Sequence, residues 1–284
     1  MKILEVNNKW TDPVKTEETI CHQMRVLGEE FMPQWAYVQF SIAQNINRMG
    51  LHETQKVIDM IVKKYGRNNL FFVCQHIQAP RLNFQQRPVF CPHTTKNLAQ
   101  RNFFPLPHFA CNIDENKVLP WKNRTYLSNF QGSYRTHPIR NKVTKSISKL
   151  KNVKVVDTGA WFFEQKDRLE KKDSYIDLLG SSKTTLCPRG TGPSSIRFWE
   201  SLAMGSVPIL IADNLELPFE EHIKWDEFVI RVPEAQAHQV AEFIPSSKYL
   251  KKMSEKGREI YKNNFSNQNL YKSIVNKLAV LNLR

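Results

Sequence analysis

Residues 187–200 read Cys-Pro-Arg-Gly-Thr-Gly-Pro-Ser-Ser-Ile-Arg-Phe-Trp-Glu, an apolar strand running into a loop with two glycines and then into a helix. Backbone amides of this loop and the hydroxyls of Ser194 and Ser195 would converge at the helix N-terminus, where unpaired N–H groups and the macrodipole attract an anion. Arg189 adds a guanidinium that can hold phosphate through two hydrogen bonds. Gly190, Thr191 and Gly192 form the turn through which backbone can approach such a ligand closely. The segment is not a Walker loop, because no Gly-Lys-Ser/Thr follows, and it lacks the GxGxxG of a dinucleotide site. Glu200 lies among Ile196, Phe198, Trp199, Leu202 and Ala203, so its carboxylate needs a partner. Two partners are open: Arg197, one turn earlier on the same face, or the hydroxyl pair of a ribose. A second junction, Phe130-Gln131-Gly132-Ser133-Tyr134-Arg135, supplies Arg135, and Arg140 follows; each either reaches the same anion or is a solvated surface arginine.

These residues need a frame that gathers strand ends. The second half alternates strands (126–130, 153–156, 185–187, 208–212, 228–232) with helices (138–150, 175–182, 193–204). That rhythm predicts right-handed βαβ units, a parallel sheet covered on both faces, and ligands at the carboxyl ends of its strands. The first half predicts strands at 2–6, 70–74, 89–91 and 109–111 and helices at 36–48 and 53–65. Six of the 15 prolines fall between residues 80 and 120, which places the domain boundary near 122. A basic helix over 246–264 and an amphipathic one over 268–281 close the chain.

With 284 residues and 41% apolar side chains the chain can bury two cores. No apolar run is long enough to span a bilayer or to serve as a secretory leader, so a soluble cytoplasmic protein is expected. The five cysteines, Cys21, Cys74, Cys91, Cys111 and Cys187, show no CxxC spacing and predict buried reduced thiols. The charge is strongly basic, 41 Lys+Arg against 27 Asp+Glu, or +14. Such a chain attracts anions. It carries no RRM, KH, zinc-finger or helix-turn-helix signature, and solvated basic helix faces account for much of the charge.

The run over 186–234, LCPRGTGPSSIRFWESLAMGSVPILIADNLELPFEEHIKWDEFVIRVPE, resembles the core of the exostosin-type glycosyltransferases, glycosyltransferase family 47. The matching features are the CPRG-x-GP-[ST]-S-x-R-x-x-E loop and helix, a Gly-x-x-Pro-x-x-[IL] strand start, a Leu-Pro-Phe turn and a Trp before the last strand. Weaker similarity covers 127–140 and 63–76. The resemblance implies a GT-B fold: an acceptor-side Rossmann-like domain over 1–122, a nucleotide-sugar-binding one over 123–265 facing it across a cleft, and a C-terminal helix over 266–284 crossing back to the first. It implies an inverting transfer from a UDP-sugar to a glycan hydroxyl, with Arg189, Ser194 and Ser195 on the diphosphate, Arg135 opposite, and Glu200 on the ribose. The chain is most similar to small members of large algal viruses, which implies xylose passing from UDP-xylose to a fucose of a viral glycan in the host cytoplasm.

Inversion needs a base for the acceptor proton and positive charge or amide dipoles for the leaving group. No DxD metal motif is visible, so no metal is expected and the arginines and helix start take that role. The base is expected on loops after strands of the first domain. Asp12, His76 and His93 are equal candidates, although each histidine could equally make a structural hydrogen bond and Asp12 could cap a helix. The rival readings are a basic nucleic-acid-binding protein and a sugar-nucleotide-binding module without turnover.

Overall fold

A computed structural model of the chain describes residues 1–6, 15–66, 68–159 and 168–282. Two compact units emerge. Unit 1 comprises Met1–Phe109, Leu215–Phe219 and Asn267–Arg284, and unit 2 comprises Ala110–Asn214 and Glu220–Ser266.

Unit 1 holds a five-stranded parallel sheet, β1 (Lys2–Glu5), β2 (Trp35–Gln39), β3 (Asn69–Val73), β4 (Val89–Cys91) and β5 (Phe103–Pro105), in that spatial order. Helix α1 (Lys15–Leu27) follows β1, α2 (Ile42–Tyr65) follows β2, and the short α3 (Lys96–Ala99) follows β4. Alternating residues divide between two apolar faces, as the period of two requires. Ala36, Val38, Leu70 and Phe72 pack with Ile46, Ile58 and Ile61 of α2. Trp35, Tyr37, Phe71 and Val73 pack with Ile20 and Met24 of α1 and with Leu270, Ile274 and Leu278. The last two belong to α8 (Tyr271–Leu281), so the C-terminal helix completes the core of the first unit.

Two expectations fail here for one reason. The helix expected over 36–48 is instead β2, five consecutive buried residues, followed by the first turns of α2. A fully buried strand has no period to separate it from a buried helix. The strand expected at 109–111 is not formed; Phe103–Pro105 is the edge strand, where a proline costs no ladder bond. The two helices expected in this region merge into α2 across a kink at Gly50, whose φ of 81° only glycine adopts freely.

Unit 2 carries β6 (Tyr126–Gly132), β7 (Val153–Asp157), β8 (Ser182–Pro188), β9 (Val207–Ile211) and β10 (Ile230–Arg231) in the parallel order β10-β9-β8-β6-β7. The helices are α4 (Pro138–Ile147), α5 (Arg168–Gly180), α6 (Ile196–Ala203) and α7 (Ser247–Ile260). Pro193 lies in the loop before α6 rather than in its first turn; Ser195 is the N-cap, and Gly205 at φ 65° ends the helix. The Arg124 guanidinium donates to the carbonyls of Leu119, Ser182, Met204 and Gly205 and so caps the same helix end.

The boundary between units falls at 109/110 rather than near 122. Leu119 N donates to Gly180 O at 3.1 Å. Ile113 and Val118 pack on Tyr175, Ile176, Leu179 and Met204. The proline-rich stretch thus ends inside unit 2. The Leu-Pro-Phe turn, in contrast, folds with unit 1, where Leu215 bridges Thr95. Four cysteines are buried as expected, whereas Cys111 is exposed. Among the described residues no helix is long and apolar enough to cross a membrane. Each unit is a parallel α/β sheet with helices on its faces, as expected of two Rossmann-like domains.

Candidate functional site

In unit 2 the chain runs from β6 to its neighbour β7 on one side, then returns to β8 on the other. This reversal is the place where an open parallel sheet leaves a crevice at its carboxyl edge. Asn129 pairs with Thr185, so Gly132 and Pro188 end their strands side by side. The two junctions singled out in the sequence, 132–135 and 189–195, are therefore neighbours.

Two guanidiniums fill the space beneath them. Arg140 donates from Nε to Arg189 O and from Nη1 to Ser133 O, both at 3.0 Å, and so ties the loops together. Burial, and then the charge of Arg197, pull its pKa down to about 9, which leaves it charged at neutral pH. Arg197 donates from Nη2 to Gln131 O at 2.6 Å and stacks on Phe130 with 4.5 Å to the ring centroid. Its Nε and Nη1 are buried with no partner among the described residues. Among the described residues neither arginine makes an ion pair. The glycines are explained by these groups: a Cβ on Gly132 would stand 2.6 Å from Arg197 Nη2, and one on Gly190 would stand 2.8 Å from Arg140 Nη2. Arg197 was weighed in the sequence only as a partner for Glu200. Its projection toward Gly132 could not be read from spacing.

The loop itself leads into a helix start with free donors. Gly190 N donates to Gly192 O at 3.1 Å, closing the turn, and Thr191 is exposed. Ser194 and Ser195 are half-buried, and the Ser195 hydroxyl makes no capping bond to α6. Arg135 is exposed, after a turn in which Ser133 Oγ accepts from its backbone N–H. Arg189 has a carboxylate beside it, which the sequence reading missed: its Nη1 lies 3.6 Å from Glu234 Oε1.

Glu200 does not pair with Arg197. Its Oε1 accepts from the backbone N–H of Asn112 at 2.9 Å and from Asn112 Nδ2 at 2.7 Å, and its Oε2 accepts from the Tyr175 hydroxyl at 2.7 Å. The residue is 2% exposed. Burial pushes its carboxyl up, against the downward pull of the Tyr175 and Asn112 hydrogen bonds. A ribose reaching this carboxylate would have to displace one of those donors. Asn112 and Tyr175 carried no signal in the sequence, since both lie far from Glu200 along the chain.

Unit 1 gathers its titratable groups at the corresponding edge. Asp12 lies outside the described residues. His76 follows β3; its Nε2 meets Asn47 Oδ1 at 3.0 Å, its Nδ1 accepts from Gln78 N at 3.1 Å, and burial lowers its pKa. His93 follows β4. Burial, then His76, pull it down to about 4, and its Nδ1 has no partner among the described residues. Its ring meets that of His108 edge-on, 5.2 Å between centroids, and burial also holds His108 well below the usual range. Glu17, not singled out in the sequence, is fully buried in the same unit. Its Oε1 accepts from Gln75 N at 2.8 Å and from Ala43 N at 3.2 Å. Desolvation pushes its carboxyl up to about 8 in spite of these bonds. No three His, Cys, Asp or Glu among the described residues form a group that could hold a metal ion.

A family model, the Exostosin GT47 domain, matches residues 63–248. The Exostosin-1 homolog of Caenorhabditis elegans is 28% identical over 238 residues, covering 72% of this chain and 62% of the relative. A protein of Arabidopsis thaliana named "Probable glucuronoxylan glucuronosyltransferase" is 30% identical over 131 residues, covering 43% of this chain and 27% of its own length. The chain thus spans less than two thirds of these curated relatives. Among solved structures, sucrose-phosphate synthase from Thermosynechococcus elongatus superposes with a TM-score of 0.47 at 10% identity, over 96% of this chain and 79% of that one.

Proposed function

The chain belongs to the exostosin GT47 family, and from that premise we propose that it transfers a sugar from a UDP-linked donor to a glycan hydroxyl with inversion. One observation carries the reading. At the strand-order reversal of unit 2, Arg140 and Arg197 lie behind two glycine-bearing loops, unpaired with any described carboxylate, next to a helix N-terminus. A cluster of guanidiniums beside a helix N-terminus suits an anion of high charge density, and a diphosphate provides one.

The acceptor oxygen attacks the anomeric carbon. As that bond forms, the bond from the anomeric carbon to the phosphate oxygen breaks, and its electron pair stays on the departing diphosphate. Arg140, Arg197, the backbone N–H groups of Thr191, Gly192, Ser194 and Ser195 and the hydroxyls of Ser194 and Ser195 receive the developing charge, with Arg189 and Arg135 at the margin. Such preorganised donors stabilise a leaving group without reorganising at the moment of reaction. The acceptor proton requires a base. His93 suits this task because its imidazole is neutral at pH 7; His76 and Asp12 remain the other candidates. Xylose is the donor sugar we favour and fucose the acceptor, on the resemblance to the small algal-virus members. The relatives' names, which point to glucuronosyl transfer, define the competing donor. We further propose that no divalent cation takes part.

A panel of UDP-sugars tests the reading, scored by thermal shift and by UDP release with fucosylated acceptors, with and without EDTA. One donor is expected to support turnover at an unchanged rate in EDTA. Absence of any UDP-dependent shift would overturn the donor site, and activity lost in EDTA and restored by manganese would overturn the metal-free leaving group.

A further inference from the structure

The cationic pocket ends abruptly on one side. The Arg189 carbonyl that accepts from Arg140 belongs to a residue whose own guanidinium turns the other way, toward Glu234. Glu234 and Asp213 follow β10 and β9, and each holds the other's backbone: Glu234 N donates to Asp213 Oδ1 at 2.8 Å, and Asp213 N donates to Glu234 Oε1 at 3.2 Å. The Glu234 carboxylate is thereby fixed in place, although its side chain is 23% exposed. Arg189 Nε is buried and has no partner among the described residues. Within one residue of the two unpaired arginines, then, stands a patch of one guanidinium and two carboxylates, with a formal charge of −1.

We propose that Glu234, held by Asp213 and Arg189, receives the hydroxyls of the donor's sugar and rejects a sugar that carries a carboxylate, so that the donor class is a nucleotide-linked neutral sugar. The proposal rests on the donor reading of the same site. A carboxylate accepts hydrogen bonds and donates none, so fixed carboxylates suit a ring that presents hydroxyls. An arginine free to form a bidentate pair would favour a uronic acid, but Arg189 already faces Glu234. A sugar carboxylate placed here would meet two like charges, the arrangement by which binding sites suppress wrong partners.

UDP-xylose and UDP-glucuronic acid form the discriminating pair, because their ring hydroxyls match and only the carboxylate differs. Dissociation constants for both, for UDP and for 2′-deoxy-UDP are measured on the full chain and on the variants Glu234→Gln and Asp213→Asn. Glu234→Gln keeps the shape, and the exposed Asp213 can lose its charge without disturbing the core. The unsubstituted chain is expected to bind UDP-xylose about tenfold or more tighter than UDP-glucuronic acid. Glu234→Gln should close most of that gap and Asp213→Asn part of it, with UDP affinity retained in both. A gap absent from the unsubstituted chain, or unchanged in both variants, overturns the proposal. A change in the 2′-hydroxyl preference in place of the sugar preference overturns it by putting the ribose at Glu234. Failure of UDP itself to bind overturns the donor reading beneath it.

Discussion

The carboxyl edges of the two sheets are built from the same kind of parallel strand and end in opposite electrostatics. In unit 2 the strand order reverses between β6 and β8, and Arg140, brought there beside Arg197 and Arg189, stays charged at pH 7 although burial lowers its pKa to about 9. In unit 1 the strands follow one another in chain order with no reversal, and the groups at the edge are held neutral. His93 sits at about 4 and Glu17 at about 8, so near pH 7 the imidazole lacks its proton and the carboxyl keeps its own. Burial is the first cause for His93, Glu17 and Arg140 alike, yet it neutralises the histidine and the carboxyl while leaving Arg140 ionised. The difference lies in intrinsic acidity: a guanidinium has several pKa units to lose before it discharges at pH 7, and an imidazole has none. One edge is suited to hold an anion and the other to handle a proton.

The largest effect that would break this contrast is loss of the proton acceptor. His93→Gln should lower kcat by about 10²- to 10⁴-fold while UDP affinity stays within experimental error. With His93 as base, the acid limb of kcat/KM should fall near pH 4, the value its burial sets. A limb near 6.5 would identify an ordinary, solvated histidine and remove His93 from the reaction.

Next in size is the charged edge. Arg140→Ala and Arg197→Ala should each weaken UDP by about 1.5–3 kcal/mol, the worth of a charge-assisted hydrogen bond. Uridine affinity should hardly move. The exposed Arg135 should give less, about 1 kcal/mol or below. Equal losses for UDP and uridine would make these arginines supports of the loops alone.

Glu200 sharpens the comparison, since it is a carboxyl buried in the charged unit. Glu200→Gln turns an amide N–H toward one of the donors from Asn112 or Tyr175, at a cost of about 1–3 kcal/mol of stability. Thermal unfolding should register that loss, and the preference for UDP over 2′-deoxy-UDP should persist. An unchanged melting temperature with a lost 2′-hydroxyl preference would return Glu200 to the ribose.

The effect spread most gradually, over several pH units, concerns Glu17, whose carboxyl is raised from 4.5 to about 8 in the folded chain. Between those values the folded state holds a proton that the unfolded state has released, so this group's contribution to stability falls as pH rises. The slope is at most about 1.4 kcal/mol per pH unit. His93 and His108 act in the opposite sense, their contribution being lost as pH falls below 6.5. Stability of Glu17→Gln minus that of the unsubstituted chain isolates the carboxyl, and should grow across pH 5 to 8. A flat difference would mean that Glu17 is ionised and paired throughout.

The same contrast explains what could be read from the chain alone. The loop over 187–200 was legible because Gly, Ser and Arg before an apolar helix have few local purposes, and its strand–loop–helix form is observed. The pairing of the two loops was legible only as far as parallel topology places strand ends together. Arg197, Glu234, Asn112 and Tyr175 were missed as participants because their partners are distant in sequence, and Glu17 because Thr-Glu-Glu-Thr reads as a solvated first turn. The 122 boundary misled for a related reason: prolines mark loops, and the side chains of residues 110–122 decide which core those loops join.

Unit 1 is assembled from segments on both sides of unit 2 in the sequence. Leu270, Ile274 and Leu278 cover the aromatic face formed by Trp35, Tyr37 and Phe71, and Gln23 of α1 clasps the same segment through Asn267 O and Tyr271 N. During synthesis this places the two units in an inverted order of maturation. Domains generally fold as units as they leave the ribosome, the N-terminal one first. Here the sheet of unit 1 must wait with one face open while the nested unit is completed, and it closes only when α8 has been made. Nascent chains released before residue 270 should therefore present the Trp35–Tyr37–Phe71 surface to chaperones and proteases, although unit 2 is already whole.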